Sequence, residues 1–390
     1  MRGSVVRLPS GTWSIMYDQP RVNGKRNQKQ ESVPGAKTKK DAEAALAKRL
    51  AEIAGGTYAN TGSLTFNDLA DQYLQARKRR VEDTSLALYR RTLDHHIRPM
   101  IGAIRLSALR SEHVEALLDG ARDRSKRKTR KGKPLNATTL RYILIVIRAV
   151  LRWGVKMDKI ARNVAAKVEP PKVLHREVEP FDASRVHGIL AAAAGTEIEA
   201  VVTTAIGTGL RRGELCALRW SDLDLDTARI SVSRSASLLN GEVIIKQPKT
   251  KQSRRNDALP AFVVEALRRH RSEQRKRHLL LGIGNRGTEG EAFDRADGTP
   301  WNPNELSRQF SRLVRRKKLP PTRFHDLRHG YATLALAAGV PLKIVSDSMG
   351  HARIGITADT YVHPADEQKH AKARMLDDFL NGAIKPKRSA

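Results

Sequence analysis

Polar and apolar residues alternate in three short stretches near the beginning of the chain. The stretches SVVRL, TWSIMYD and KRNQKQESV have the two-residue period of strands, and the turn sequences PSG and VNGK separate them. A helical period follows in AEAALAKRLAEIA, with Thr38 and Asp41 as a capping pair and Gly55-Gly56 as the stop. The pattern predicts three strands and one helix within residues 1–60.

The next part of the chain has the period of helices. Residues 65–168 are predicted to form an all-helical domain, which begins at the capping pair Thr65 and Asp68 and includes NATTLRYILIVIRAVLRWGVKMD. The proline-bearing segment VEPPKVLHREVEP, residues 168–180, has the composition of a linker.

Residues 180–390 are mainly helical, but they contain a strand-like alternation with an Asn240-Gly241 turn and a second, basic turn around Lys249. The sequence therefore predicts a mainly α, multidomain protein. Its parts are a small three-stranded sheet plus helix, an all-helical domain, and a mixed, mainly helical domain with a small β-hairpin sheet.

Positive charge is spread over the whole chain. Its 390 residues include 72 Lys and Arg against 41 Asp and Glu, a formal charge of +31. The surplus is +6 in residues 1–60, +13 in residues 61–179 and +12 in residues 180–390. A polyanion that touches every part, nucleic acid above all, is the simplest partner, although an arginine-rich soluble protein would have the same totals.

The single cysteine and the apolar runs exclude other classes. Cys216 lies on an apolar helical face, which indicates a buried thiol, and one cysteine excludes an intrachain disulfide. The chain has no secretory signal and no run of eighteen apolar residues, so we expect a cytoplasmic protein that makes no membrane contact.

The stretch RFHDLRHG places His325 and His329 four residues apart and allows two interpretations. A zinc protease has a glutamate after its first histidine, but Asp326 is one methylene shorter, and Arg328 would place a positive charge beside the metal. A phosphate fits better, because an arginine pairs two phosphate oxygens and a histidine adds a donor or takes a proton. We therefore expect an anion here and no metal.

Other phosphate-directed residues follow a fixed order. TGLRRGEL, a lysine on a β-hairpin, HDLRH, MGH and DTY succeed one another between residues 208 and 361, and in this order they resemble the tyrosine recombinases of the phage-integrase type. The helical segment resembles the core-type DNA-binding domain of that family. Residues 1–60 resemble the arm-type DNA-binding domain of its longer integrases. The domains expected from this resemblance are residues 1–60, 65–168 and 180–390, the last being catalytic.

The resemblance also implies the roles of single residues. Arg211 and Arg328 match the arginines that bind the scissile phosphate and stabilise the transition state. Tyr361 matches the nucleophile, which forms a 3′-phosphotyrosine, and His325 is placed to take its proton. His351 matches a second histidine that donates a hydrogen bond to the phosphate. A core aromatic is the alternative role for Tyr361, but the preceding TADT is polar.

Further positions carry supporting roles. Lys249 matches the lysine that protonates the leaving 5′-oxygen, and Lys251 is the weaker candidate. Glu214 matches an acidic position that orients its neighbours. Arg212 is expected to be a surface cation or a DNA contact, and His329 a packed neighbour of the site. Such transesterification conserves the phosphodiester energy, so the resemblance implies no cofactor, neither ATP nor metal.

The expected partner is double-stranded DNA with core-type and arm-type sites. A homotetramer is expected to bind it, and recombination is expected to proceed through a Holliday junction. A host DNA-bending protein and an excision factor are expected accessory partners. The expected DNA-binding residues outside the catalytic set are Arg212, Lys251, Lys126, Arg127, Lys128, Arg130, Arg21, Lys25 and Arg26. The four in the middle of this list belong to the basic run RDRSKRKTRKGK, for which a solvated loop is the alternative.

The sequence predicts the integrase of a phage or integrative element. A chromosome-dimer resolvase of the same family is one alternative, which residues 1–60 argue against. A non-catalytic DNA-binding regulator is another, which would not need Tyr361. The C-terminal segment ADEQKHAKARMLDDFLNG has the pattern of an amphipathic helix, which packs either on its own domain or on a neighbouring protomer.

Overall fold

The computed structural model describes residues 3–22, 25–54, 64–122, 135–173, 181–247, 254–284, 286–351 and 353–361, with Arg374 and Asp377. Within these ranges, the side chains of residues 19–22, 25–27, 52, 356 and 359–361 are not described. The chain divides into two compact units, Met1–Arg176 and Glu177–Ala390, whose boundary falls in the segment with linker composition. The mainly α, multidomain fold class is confirmed.

The first unit begins with the predicted sheet and helix. Strands β1 (Gly3–Arg7), β2 (Trp13–Val22) and β3 (Lys25–Ser32) form an antiparallel sheet in that order, and helix α1 (Lys39–Ala54) follows. Alternate residues of β2, Ile15 and Tyr17, are buried with Ala42 and Leu46 of α1. The apolar face of β2 and the apolar face of α1, which the two sequence periods predict, therefore pack together in one small core.

Helices make up the rest of the first unit. They are α2 (Phe66–Lys78), α3 (Asp83–Thr92), α4 (Arg98–Ile101), α5 (Ser111–Arg122) and α6 (Ala137–Lys156). The predicted capping box at the start of α2 is present, because the backbone N–H of Thr65 donates to Asp68 at 2.8 Å and that of Asp68 to Thr65 at 3.3 Å. Leu140, Ile143 and Ile147 lie on the buried face of α6. Their core is separate from that of the sheet.

One predicted helical stretch is interrupted. Residues of DTSLALYRRTLDHHIRPMIG form α3 and α4, but a π-helical turn, Leu93–Ile97, separates the two. Pro99 lacks the N–H that a regular helix needs at this place, and a π turn is one way to accommodate the missing hydrogen bond.

The second unit is mixed and mainly helical. Its helices are α7 (Ala183–Ala193), α8 (Glu199–Thr208), α9 (Arg212–Cys216), α10 (Ala261–Leu280), α11 (Pro303–Arg316), α12 (Asp326–Ala337), α13 (Leu342–Met349) and α14 (Ile354–Tyr361). Its strands are β4 (Leu223–Asp224), β5 (Arg229–Val232), β6 (Ser235–Leu239), β7 (Glu242–Lys246) and β8 (Arg255–Ala258). Apolar residues of α7 to α12 and of β5 build one continuous core.

The hairpin at Asn240-Gly241 is present, whereas the second, basic turn expected around Lys249 lies outside the described residues. Strands β6 and β7 pair across this hairpin, with φ of 52° at Asn240 and 95° at Gly241, as a tight two-residue turn requires. Strand β8 pairs instead with β5, in register Val232 to Arg255. Strands β7 and β8 thus pair with successive parts of the stretch 229–239. Lys249 and Lys251 belong to residues 248–253, which follow β7 and precede β8 in the sequence and lie outside the described residues.

Candidate active site

The loop after α8 and the start of α12 are joined by a buried arginine. Arg328 is 4% exposed, and its guanidinium donates to the carbonyl of Gly209 at 2.7 Å and to that of Met349 at 2.6 Å. Gly209 ends α8 with φ of +63°, and a Cβ there would lie 2.4 Å from the ring of Tyr331. This position therefore requires glycine, and the close packing holds the TGLR loop against α12.

Arg211 lies at the N-terminus of α9 and contacts the same end of α13. Its backbone N–H and its guanidinium both donate to Glu214, at 2.8 and 3.0 Å. Its other terminal nitrogen donates to the carbonyl of Gly350 at 2.9 Å. The side chain is 37% exposed, so this guanidinium keeps donors that an anion could reach.

A third arginine, Arg255 of β8, completes the arrangement. Its Nε donates to the carbonyl of Ser348 at 2.6 Å, and its two terminal nitrogens donate to the two oxygens of Glu214 at 3.3 and 3.0 Å. Arginines from three separate elements thus donate to three successive carbonyls, those of Ser348, Met349 and Gly350. These carbonyls lie at the C-terminal end of α13, where the helix dipole makes cations favourable.

Sequence reasoning missed Arg255, although one signal was available. Its neighbour Arg254 is exposed, whereas Leu259 is buried and alternate residues of β8 are better covered. Counting back in twos from Leu259 places Asp257 and Arg255 on the inward side of the strand. A basic residue on that side needs an acidic partner, and the partner is Glu214.

Glu214 is buried and charged. Burial alone would raise the pKa of its carboxyl group, but hydrogen bonds from Arg255, the charge of Arg255 and the backbone N–H of Arg211 together hold that pKa below its usual value. An ionised carboxylate 4% exposed between two guanidinium groups is a fully paired charge. It orients both arginines.

The two expected histidines have lowered pKa values. Burial, followed by the charges of Arg328 and Arg211, lowers the pKa of His351 to about 4. Its Nδ1 lies 2.7 Å from the hydroxyl oxygen of Thr357, which is fully buried in α14. Burial and the nearby charges of His329 and Arg328 lower the pKa of His325. Both imidazoles are therefore neutral near pH 7.

His325 and His329 lie side by side at the start of α12, with ring centroids 5.1 Å apart. Asp326 between them pairs with Arg323, whose Nη2 is 2.8 Å from its Oδ1. Across the described ranges, no group of three or more His, Cys, Asp or Glu side chains is arranged to hold a metal ion. In the same part of the chain, no helix is both long and apolar enough to cross a membrane.

Other expected residues have definite places. Arg212 donates to the hydroxyl of Ser307 on α11 at 2.7 Å, so it is a side-chain bridge between α9 and α11. Cys216 is buried, and burial raises the pKa of its thiol to about 12, as expected of a structural cysteine. Tyr361 is the last residue of α14, ten positions after His351, and its side chain lies outside the described part.

Several candidates cannot be located further. Lys249, Lys251 and the basic run with Lys126, Arg127, Lys128 and Arg130 lie outside the described residues. Arg21 belongs to β2, and Lys25 and Arg26 belong to β3, but their side chains also lie outside the described part. The C-terminal segment is outside it except for Arg374 and Asp377.

Comparisons with known proteins agree with this architecture. Residues 179–368 match the model of the phage integrase family, and residues 65–120 match the model of the phage integrase N-terminal SAM-like domain. A tyrosine recombinase described as XerC-like, from Caldanaerobacter subterraneus subsp. tengcongensis, is 26% identical over 363 residues, which cover 88% of this chain and 90% of the relative.

Two solved structures share the fold. The integrase of the transposon Tn1549 in complex with transposon right-end DNA has a TM-score of 0.66 at 21% identity, covering 80% of this chain and 100% of that one. The lambda integrase tetramer bound to a Holliday junction has a TM-score of 0.56 at 20% identity, covering 92% and 94%. The fold and the arginine-histidine site define a tyrosine-type DNA breaking and rejoining enzyme. The chain belongs to the phage integrase family of tyrosine recombinases.

Proposed function

We propose that this chain is the integrase of a phage or integrative element, and that Tyr361 is the nucleophile of its strand-breaking reaction. The observation that carries the proposal is the convergence of Arg211, Arg328 and His351 at one end of α13. Two guanidinium groups and a neutral imidazole at one place are suited to a phosphodiester, whose negative charge increases on the way to the pentacoordinate transition state.

The proposed reaction is a transesterification. The hydroxyl oxygen of Tyr361 attacks phosphorus while the bond from phosphorus to the 5′-oxygen breaks, which gives a 3′-phosphotyrosine and a free 5′-hydroxyl. His325 takes the proton of the tyrosine, because its lowered pKa keeps the imidazole neutral and able to accept it. Lys249 supplies the proton of the leaving oxygen, with Lys251 as the alternative donor. Rejoining is the reverse reaction with a different 5′-hydroxyl.

His351 is proposed to donate a hydrogen bond to a non-bridging phosphate oxygen. The proposal assigns the hydrogen of the neutral imidazole to Nε2, so that Nδ1 accepts from the Thr357 hydroxyl 2.7 Å away and Nε2 donates to the phosphate. Arg211 contributes its exposed N–H groups to the same phosphate. Arg328, which is 4% exposed, contributes mainly its positive charge.

The remaining parts of the chain are assigned to DNA binding and assembly. Residues 1–60 are proposed to bind arm-type sites and residues 65–168 to bind core-type DNA. Residues 180–390 are proposed to catalyse strand cleavage and rejoining. The similarity to the lambda integrase tetramer on a Holliday junction supports an assembly of four protomers around two DNA sites. The basic surplus in every part of the chain is consistent with DNA contacts throughout.

The test is a cleavage assay on a nicked core-site duplex, with the covalent adduct resolved on a denaturing gel. Tyr361→Phe should form no adduct and still bind the duplex, because only the nucleophilic oxygen is lost. Tyr142→Phe, which removes a hydroxyl from the helical part of the first unit, is the matched control and should cut normally. Arg211→Ala and Arg328→Ala should each slow cleavage about a hundredfold or more. Adduct formation by Tyr361→Phe would show that another residue is the nucleophile.

A further inference from the structure

The three arginines at the end of α13 are not equivalent. Arg211 is 37% exposed, whereas the side chain of Arg255 is 8% exposed. Every side-chain nitrogen of Arg255 is already engaged, Nε with the Ser348 carbonyl and both terminal nitrogens with Glu214. Arg255 therefore contacts the Ser348 carbonyl and Glu214, which position the phosphate-directed residues, and has no side-chain nitrogen left for the phosphate itself.

Arg255 and Arg211 share one carboxylate. Oε1 of Glu214 accepts from Arg211 at 3.0 Å and from Arg255 at 3.3 Å, and Oε2 accepts from the Arg211 backbone at 2.8 Å and from Arg255 at 3.0 Å. One negative charge thus lies between two positive charges, so Glu214 and the two arginines together keep a net positive charge. Without Arg255, the buried carboxylate of Glu214 would pair with Arg211 alone. The positive charge of Arg211 would then be neutralised by Glu214 and would no longer attract the DNA phosphate.

Arg255 also limits the position of the turn that precedes His351. It holds the Ser348 carbonyl, and its Nη1 would lie 3.0 Å from a Cβ at Gly350, where φ is +63°. The carbonyl of Gly350 is the one that Arg211 binds. The guanidinium of Arg255 therefore fixes the turn directly and Arg211 through their shared partner Glu214.

We infer that Arg255 is a positioning residue for strand breakage, which neutralises Glu214 and fixes the turn at 348–351 so that Arg211 and His351 are aligned before DNA binds. The inference rests on the proposed function, because it concerns the same reaction. It adds a residue that belongs to none of the sequence motifs of the site, and it assigns a charge-balancing role to the Glu214 pair.

The experiment compares Arg255→Gln, Arg255→Lys and the double variant Arg255→Gln with Glu214→Gln in single-turnover cleavage of the nicked duplex. DNA affinity and thermal unfolding are measured in parallel. Arg255→Gln should slow cleavage on the order of tenfold to a hundredfold, the cost of a misplaced reacting group, with DNA affinity changed less than about threefold. Arg255→Lys should recover part of the rate, because it keeps the charge but loses the fork.

The double variant separates charge balance from packing. Removing the Glu214 charge frees Arg211, so the double variant should cut several times faster than Arg255→Gln, even though it carries one more substitution. Arg234→Gln is the matched control. It removes another partly buried arginine, paired with Asp222 at 2.6 Å, and should leave the rate per folded molecule unchanged.

Three results would overturn the inference: normal cleavage by Arg255→Gln, a double variant no faster than Arg255→Gln, or an equal loss of rate in Arg234→Gln. If Arg255→Gln does not fold, the same comparison is made with another neutral substitution, Arg255→Met, alone and combined with Glu214→Gln. Failure of the proposed function is recognised separately, because the unsubstituted protein would then form no adduct that depends on Tyr361.

Discussion

Gly350 offers a sharp test of how the end of α13 serves the site. It is the C-cap of α13 with φ of +63°, and its N–H donates to the carbonyl of Asp347 at 2.8 Å. The next residue, His351, donates its N–H to the carbonyl of Ser346 at 3.1 Å, so this left-handed turn sets where the imidazole emerges. Substitution Gly350→Ala perturbs the turn in two ways.

The first effect is backbone strain. A left-handed conformation costs a residue with a Cβ about 1–2 kcal/mol, so the free energy of unfolding should fall by about that amount. The second effect is local, because the new Cβ would lie 3.0 Å from Nη1 of Arg255 and 3.4 Å from Nη1 of Arg211. The guanidinium groups must move by a few tenths of an ångström, and we expect cleavage to slow on the order of tenfold to a hundredfold.

Gly339 provides the matched control. Its φ is +83°, close to that of Gly350, but a Cβ there would meet nothing within 4 Å. Gly339→Ala should therefore lose a similar free energy of unfolding and keep its cleavage rate. Urea unfolding measures the first quantity, and single-turnover cleavage of the nicked duplex measures the second. Equal cleavage rates for the two variants, corrected for the folded fraction, would refute the argument that the turn positions the site.

Further predictions concern charge, domains and pH. Changing Lys126, Arg127, Lys128 and Arg130 to Ala should flatten the dependence of log affinity on log salt by about two to four units, equally for core-site and random DNA; an unaltered slope would mean that the run faces solvent. Deleting residues 1–60 should leave core-site cleavage and remove binding to a second class of site, as gel shifts with separate duplexes would measure. Cleavage should be unaffected by EDTA, because arginine side chains rather than a metal ion are expected to neutralise the phosphate; loss of activity would revive the metal interpretation of HDLRH. The pKa of His351, about 4 in the free protein, should rise beside a phosphate, so the complex takes up a proton and core-site affinity increases as pH falls. Between pH 7.5 and 5.5 this contribution is at most about tenfold if the pKa returns to about 6.5, and His351→Gln should abolish it.

The sequence by itself determined the elements and the candidate residues. Strand and helix periods, together with local caps such as Thr65 with Asp68, indicated where most elements lie, because these signals depend on residues within a few positions of one another. The order of TGLRRGEL, HDLRH, MGH and DTY identified the family and selected Arg211, His325, Arg328, His351 and Tyr361. It could not foresee the π turn before Arg98, where Pro99 interrupts a helical pattern that is otherwise continuous.

Only the tertiary structure decided which groups meet. Arg328 binds the carbonyl of Gly209, 119 positions away, and Arg211 binds that of Gly350, 139 positions away. Arg255 reaches Ser348 across 93 positions, and nothing in the local pattern named that partner. Pairing of β8 with β5 instead of β7 likewise depends on the packed sheet. The local period of a sequence indicates which face of a helix or strand is buried. The partner of a buried charge depends instead on how distant elements pack, because a buried guanidinium is stable only where the fold supplies a hydrogen-bond acceptor.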